Sequence, residues 1–429
     1  MNESADTEAT KRCRKERLFT GNWHFDAFYA LLLLAMASLP FTNWLMLPIA
    51  VLMFLNWIIA WNWKEKIRNL KENVSPVGVV VLFSLYALVI YGFFLSSNKA
   101  HAFAAFDCNL WFLAAPLFAL AYSRKDLNRT RIRIALLVFA LFTFLHLCVI
   151  FGIAIAKYIR TDDSYGLFYI HLSLLRHPSY LAMYVTFSFC IVLEFLSKEK
   201  ERLSSLAEMF VIFVLAVFVV SVFFLQSKAG ILIFLLVGVL WVVNLWIIRT
   251  VNIAAVLSIL VCVGSVVVVL NETGDLPIRR FQASVEDIEQ FRNQELGDGS
   301  TEIRLTVWKS ALEICRKNMP WGVGTGDATD ELCLNAIHQN YTNLIGHHFN
   351  AHNQYLQTLL TVGIPGVLAL ICYCGFPFVV SFKRRDFLYL SFAVIVVLNL
   401  AAESMFETRA GVDFIALMNV LLLLKTQVD

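Results

Sequence analysis

Residues 303–317, IRLTVWKSALEICRK, run into 319–327, MPWGVGTGD, and later into 347–355, HHFNAHNQY, which opens an apolar run ending in TVGIPG at 361–366. Arginine, tryptophan, glycine and histidine gather here, while the sequence on either side is mostly lipid-soluble. Of the 429 residues, 59% are hydrophobic and 16% charged, and the mean hydropathy is +0.68. That composition excludes a soluble enzyme carried on one anchor and predicts an all-α polytopic membrane bundle. A hydrocarbon layer of roughly 30 Å takes about 20 apolar residues as helix, and only a helix satisfies its own backbone there. The stretch 303–366 is therefore the region where surface chemistry is expected.

About twelve spans are expected, near 26–42, 45–62, 77–95, 103–122, 134–156, 179–196, 207–225, 229–247, 251–270, 354–376, 387–402 and 411–424. The basic run KRCRKER precedes the first, without a small-residue cleavage site, and reads as the flank of a membrane helix rather than of a cleaved leader. Most of the 35 Lys and Arg fall in KRCRKER, KEKIRNLK, SRKDLNRTRIR, SKEKER, IIRT, SFKRR and at Lys425. The positive-inside rule then puts both termini in the cytoplasm and residues 271–353 outside. The organisation expected is 1–270 as membrane helices, 271–353 as one large external loop, and 354–429 as the closing membrane helices. A net charge of +3, spread over loops, gives no sign of a nucleic-acid partner; membrane lipids are the surroundings to expect.

Within the loop, 283–294 reads as a short surface helix, and 301–317 as a firmer one because Ile303, Val307, Ala311 and Ile314 recur at helical spacing. Asp327 is placed to cap the next helix, ATDELCLNAIHQN. GVGTGD lacks the strand before it and the helix directly after it that a dinucleotide loop requires, so it reads as a tight turn. The nine cysteines form no paired framework; Cys315 and Cys333 share the loop, where either a bridge or free thiols is open. His348 and His352 are four apart with His347 nearby, so a zinc site is weighed, but no carboxylate or third ligand is fixed by spacing, and no metal or other cofactor is expected.

The ordered motifs carry a resemblance. Ser227-Lys228-Ala229-Gly230 opens a span; Arg304, Trp308, Ala311 and Leu312 form R-x-x-x-W-x-x-A-L; Pro320, Gly322, Gly324 and Gly326 follow; then come His352, Asn353, Tyr355, Leu356 and Gln357, and a G-x-x-G ending at Gly363 and Gly366. Over roughly 210–375 this set resembles the O-antigen ligase and Wzy-type polymerase family, integral-membrane glycosyltransferases that use lipid-diphosphate-linked sugars. The family has Arg where this chain has Lys228. The resemblance implies transfer of a glycan from an undecaprenyl-diphosphate donor to a hydroxyl, such as one on the lipid A core, at the periplasmic face of a bacterial inner membrane. It further implies inversion at the anomeric carbon without a metal, in a fold related to the GT-C glycosyltransferases.

The residue types fit that chemistry. Negative charge grows on a leaving phosphate, so a fixed cation there stabilises the transition state more than the ground state, and the planar fork of arginine suits it best. Arg304 is the first candidate. Arg176 and His177 before Pro178, Lys228 after Ser227, and His352 before Asn353 lie at helix starts, where the positive helix end adds to an anion site. Each could equally be an interface anchor. Histidine is the residue type that exchanges protons near neutrality, so His352 is a candidate base for the acceptor hydroxyl, and phosphate binding remains open for it. Asn353, Tyr355 and Trp308 support the motif. Glu403 and Glu407, four apart at the end of a span with Arg409 and Asp413 nearby, are costly at membrane depth unless paired; they would orient a cation, act as another base, or simply pair with Arg409. Residues 161–177 suit a helix lying at the interface, and His146 reads as a hydrogen-bonded core residue.

Within this class, a ligase, a polysaccharide polymerase and a protein O-oligosaccharyltransferase differ in the acceptor, which the sequence does not contain. A lipid-linked oligosaccharide transporter is the rival of another class, but no repeated halves are visible.

Overall fold

The computed structural model describes residues 20–162, 164–247, 277–293 and 299–427, and no strand occurs among them. Among these residues, six helices are long and apolar enough to cross a membrane, and a bent pair raises the number to seven. Three shorter apolar helices, Trp23–Ser38, Lys228–Asn244 and Phe387–Ala402, accompany them. The expected span 251–270 and the run KRCRKER lie outside the described residues.

Several spans differ from their sequence reading, and local chemistry explains each. The run 45–62 stops as helix Met46–Ile59 and turns by 118° into Trp63–Asn73, whose charged sequence WKEKIRNLKEN cannot stay in hydrocarbon. Asn69 and Asn73 of that second helix donate to the carbonyls of Ala121 and Leu120 at 2.9 and 3.0 Å, seating it on the bundle end. The run 103–122 remains one candidate span, Lys99–Ala119, but is interrupted into two helices, Lys99–Cys108 and Trp111–Ala119; at the break the Asn109 amide turns back onto the Ala105 carbonyl at 3.1 Å. Arg129–Thr161 spans 33 residues, roughly 50 Å at ~1.5 Å per residue, and so outruns the bilayer core. The stretch 161–177 is no single interfacial helix but a 3₁₀ turn at Ser164–Leu167 and one turn at Tyr169–Leu172.

The bundle is organised on its last helix, Arg409–Lys425, which is buried at every position from Ala410 to Lys425. Its run FIALMNVLLLL is apolar on all sides, as a helix enclosed by others must be. Phe414 lies among Phe139, Tyr184, Phe187 and Phe392, with ring centroids 5.0 to 6.0 Å away. The Tyr389 hydroxyl donates to Asn419 Oδ1 at 2.7 Å, joining two polar groups inside this core.

The described residues of the loop 271–353 fold as three helices, Pro277–Arg292, Ser300–Asn318 and Ala328–His338. Val307, Ala311 and Ile314 are buried with Leu332, Ala336 and Leu360, so the loop has its own small core set against helix Gln354–Arg384. The glycine run latches the two together. Helix Gln354–Arg384 opens at Gly363 (φ 67°, ψ −154°). Val323 N–H then reaches the Leu360 carbonyl at 2.9 Å, Gly324 N–H that of Thr361 at 2.8 Å, and Ile364 N–H that of Pro320 at 2.9 Å. A Cβ on Gly363 would stand 1.9 Å from the Pro320 oxygen, so the contact demands glycine. Asp327 does not cap its own helix. Its carboxylate instead accepts from Ser97 and Asn98 N–H at 2.6 Å each, two orphan donors at the start of Lys99–Cys108.

Candidate active site

Four segments converge on Glu403. Helix Phe387–Ala402 ends because Glu403 itself is extended (φ −147°, ψ 151°), which frees its side chain from the helix face. Arg304 comes from the second turn of Ser300–Asn318 and places Nη2 2.5 Å from Glu403 Oε1. His352, held at φ +45°, places Nδ1 3.2 Å from Oε2. Ser179, at the start of Pro178–Glu199, donates its hydroxyl to Oε1 at 3.3 Å. One carboxylate thus fixes a guanidinium on one oxygen and an imidazole on the other.

Its surroundings decide its charge. Burial alone would raise the Glu403 carboxyl, but the His352 hydrogen bond together with the charges of Arg304, His352 and His177 outweighs it and holds Glu403 below the usual carboxylate range. An ionised carboxylate only accepts, so His352 Nδ1 carries the hydrogen, and in the neutral imidazole Nε2 is then the nitrogen with the lone pair. The Glu403 side chain is 9% exposed, whereas Arg304 and His352 are 36% and 27% exposed. The anion is enclosed and both of its partners face outward.

A supporting frame keeps His352 in place. Trp308 Nε1 donates to the Ala351 carbonyl at 2.7 Å, and Ala351 N–H donates to Gln357 Oε1 at 2.9 Å. Asn353 caps the next helix by accepting from Leu356 N–H at 3.1 Å, and its own N–H donates to Ser404 Oγ at 3.2 Å. The Tyr355 hydroxyl reaches the Val397 carbonyl at 3.1 Å, tying two membrane helices together away from the charges.

Not all the expected residues join. Among the phosphate candidates, His177 lies close enough to lower Glu403. Arg176 turns the other way: its guanidinium donates to the Leu39 carbonyl at 2.5 Å, to Asn43 Oδ1 at 2.6 Å and to the Pro40 carbonyl at 3.4 Å. There it neutralises the negative end of Trp23–Ser38. Lys228 bonds Ser284 Oγ, and Thr301 Oγ1 at 3.4 Å, so it meets the loop helices one turn before Arg304. Arg409 pairs with Asp107 and with neither glutamate.

Glu407 belongs to a second setting. It lies on the 3₁₀ turn Met405–Glu407, is hydrogen-bonded by Gln357, and faces a cleft of about 260 Å³ that also presents His101, Asn109, Gln354 and Thr358. Its side chain is exposed toward that cleft, where the packed protein around it thins the solvent. Desolvation pushes its carboxyl up to about 6, and the Gln357 bond offsets only part of this.

The sequence reading missed Ser179 and Ser404, which lie beside Pro178 and Glu403, and the bridging role of Gln357, which it named only as a motif residue. His146 is fully buried as expected, but neither ring nitrogen has a hydrogen-bond partner, and its edge packs on Phe41 instead. Cys315 and Cys333 are free thiols. Among the described residues no group of three His, Cys, Asp or Glu side chains is arranged to hold a metal ion.

Comparison with protein families matches residues 211–371 to the family described as O-Antigen ligase, close to the limits that the motifs define. No curated protein matches the chain.

Proposed function

We propose that this chain, which through residues 211–371 belongs to the O-antigen ligase family, moves a glycan from undecaprenyl diphosphate to an acceptor hydroxyl, with the lipid A core as the preferred acceptor. The observation that carries the reading is the sharing of Glu403 between Arg304 and His352. In this reading the acceptor oxygen attacks the anomeric carbon, the bond to the diphosphate oxygen breaks with inversion, and the acceptor proton passes to His352 Nε2. Arg304, half-exposed and oriented by Glu403, offsets the charge left on the carrier diphosphate. His177 supplements it, and Lys228 acts one helical turn away. Neither step calls for a metal. Arg176 is read as part of the scaffold.

The proposal includes the membrane setting: about twelve spans in a GT-C-related bundle, both termini cytoplasmic, and the loop periplasmic in a bacterial inner membrane. Residue 285, exposed on Pro277–Arg292, gives a labelling site. A Val285→Cys change in a cysteine-free background should react with a membrane-impermeant thiol reagent once the outer envelope is permeabilised. Reaction only after inner-membrane lysis would invert the topology.

Activity is tested with purified protein, carrier-linked glycan and lipid A core. Transfer should proceed in EDTA and be lost in Arg304→Ala at normal protein level; near-wild-type transfer by that variant would remove Arg304 from the site. A deletion strain separates the acceptors. Accumulated polymer on the carrier with none on lipid A indicates a ligase, whereas a single repeat on lipid A indicates a polymerase.

A further inference from the structure

Helix Pro178–Glu199 starts at the Glu403 site and runs for 22 residues, so its far end lies roughly 30 Å away at ~1.5 Å per residue. That end carries charges the transfer reaction does not use. Together with the start of Arg129–Thr161 and the end of Arg409–Lys425 it encloses a pocket of about 300 Å³, in which Arg129, Arg133, Lys198 and Lys425 face Glu194 and Glu199.

The floor of the pocket is built. Lys425, 5% exposed, lies 2.9 Å from Glu194 and 2.8 Å from Asp386. Nearer the mouth, Lys198 meets Glu194 at 2.7 Å and Arg133 meets Glu199 at 2.7 Å, and these two cations are 48% and 37% exposed. Arg133 also stacks 4.9 Å from the Phe195 ring. Counting Asp386 below and Arg202, which shares Glu199, the cations still outnumber the carboxylates. The helix Arg129–Thr161 adds its positive end to the same space.

Leu137 and Phe195 of this pocket also line a second cavity of about 290 Å³, which continues along the same helices between Leu141, Phe144, Val211 and Val214. This continuation is apolar throughout. A cationic pocket opening directly into an apolar groove matches a molecule with an anionic head and a hydrocarbon tail.

We propose that pocket and groove together bind an anionic phospholipid at the membrane face opposite the Glu403 site. The phosphate lies against Arg129, Arg133 and Lys198, and an acyl chain lies in the groove between Arg129–Thr161 and Ser205–Phe224. Basic pockets between membrane helices attract anionic headgroups in this way, each cation near the surface contributing about 1 kcal/mol. The buried Glu194–Lys425–Asp386 cluster fixes the floor and leaves the outer cations to face the lipid.

The test uses delipidated full-length protein in detergent, titrated with phosphatidylglycerol, with phosphatidylcholine of the same chains, or with inorganic phosphate, and read by native mass spectrometry and thermal stability. Phosphatidylglycerol should bind saturably and raise Tm more than phosphatidylcholine. Arg129→Gln and Arg133→Gln should each weaken it about fivefold. Leu141→Trp, at a lipid-facing position, should fill the groove and weaken the lipid with the cations intact. Equal binding of the two lipids, or unchanged affinity in the double Arg→Gln variant, overturns the proposal. Stabilisation by inorganic phosphate equal to that by phosphatidylglycerol also overturns it, because the groove would then contribute nothing.

Discussion

Glu403 and Glu407 occupy one corner between the last two helices, yet the protein gives them opposite environments. Glu403 is enclosed by Arg304, His352 and Ser179 and is held ionised below the usual carboxylate range. Glu407 faces the cleft beside Gln357 with no ion pair among the described residues, and desolvation lifts its carboxyl to about 6. The difference shows that the charge state at this corner follows from which cations reach each carboxylate. Pairs of acids whose environments separate them in this way often divide the work of a reaction. Here Glu403 is the fixed anion that organises a cation and a base, and Glu407 is the rival proton acceptor.

The variant expected to have the largest effect decides between the two. His352→Ala should lower transfer about 10²–10⁴-fold, the usual range for a general base, with donor binding preserved. If Glu407→Gln shows that loss and His352→Ala does not, the assignment is reversed. His347→Ala and His348→Ala should be milder than His352→Ala, since neither side chain reaches Glu403.

Arg304→Lys comes next. It keeps the charge and loses the fork, so transfer should fall roughly ten- to hundredfold. Lys228→Arg should change the rate little, as its partners are the hydroxyls of Ser284 and Thr301.

The smallest effect is one of stability, and its sign differs for the two acids. Glu407 binds its proton more tightly when folded, so its contribution is complete below pH 4.5 and is lost as pH rises through about 6. Glu407→Gln should therefore raise Tm relative to wild type above pH 6 and not below pH 4.5. Glu403 behaves in the opposite sense. Its contribution is present at neutral pH and is lost as pH falls through and below the ordinary carboxylate range. Unfolding curves of the two Glu→Gln variants between pH 4 and 8 check both signs.

Much of this was legible from periodicity and order. The repeat of Ile303, Val307 and Ala311 gave the loop helix and its buried face, and Arg304 stands at the edge of that face. The motif His352-Asn353 gave a helix start, and Asn353 does cap it. What was hidden depends on partners distant in sequence. Nothing near Arg176 indicates that it will cap the helix Trp23–Ser38, and nothing near Asp327 points to Ser97. The sequence placed Glu403 and Glu407 four apart at the end of one span, but not how the chain beyond Ala402 turns the two side chains to different sites. Hydropathy measures apolar length, so it did not register the break at Asn109 or the opening at Gly363.

The account rests on Glu403 setting the tautomer of His352, and the most direct measurement is the transfer rate of Glu403→Gln, alone and combined with His352→Ala. The glutamine can still accept from Arg304 but offers an N–H to His352 Nδ1, which moves the imidazole hydrogen to Nε2 and removes the lone pair that takes the acceptor proton. Loss of the orienting carboxylate in such a dyad costs up to about 10⁴-fold. The account predicts that Glu403→Gln falls close to the level of His352→Ala and that the double variant falls little further. Near-wild-type transfer by Glu403→Gln, or a double loss equal to the product of the two single losses, would contradict it.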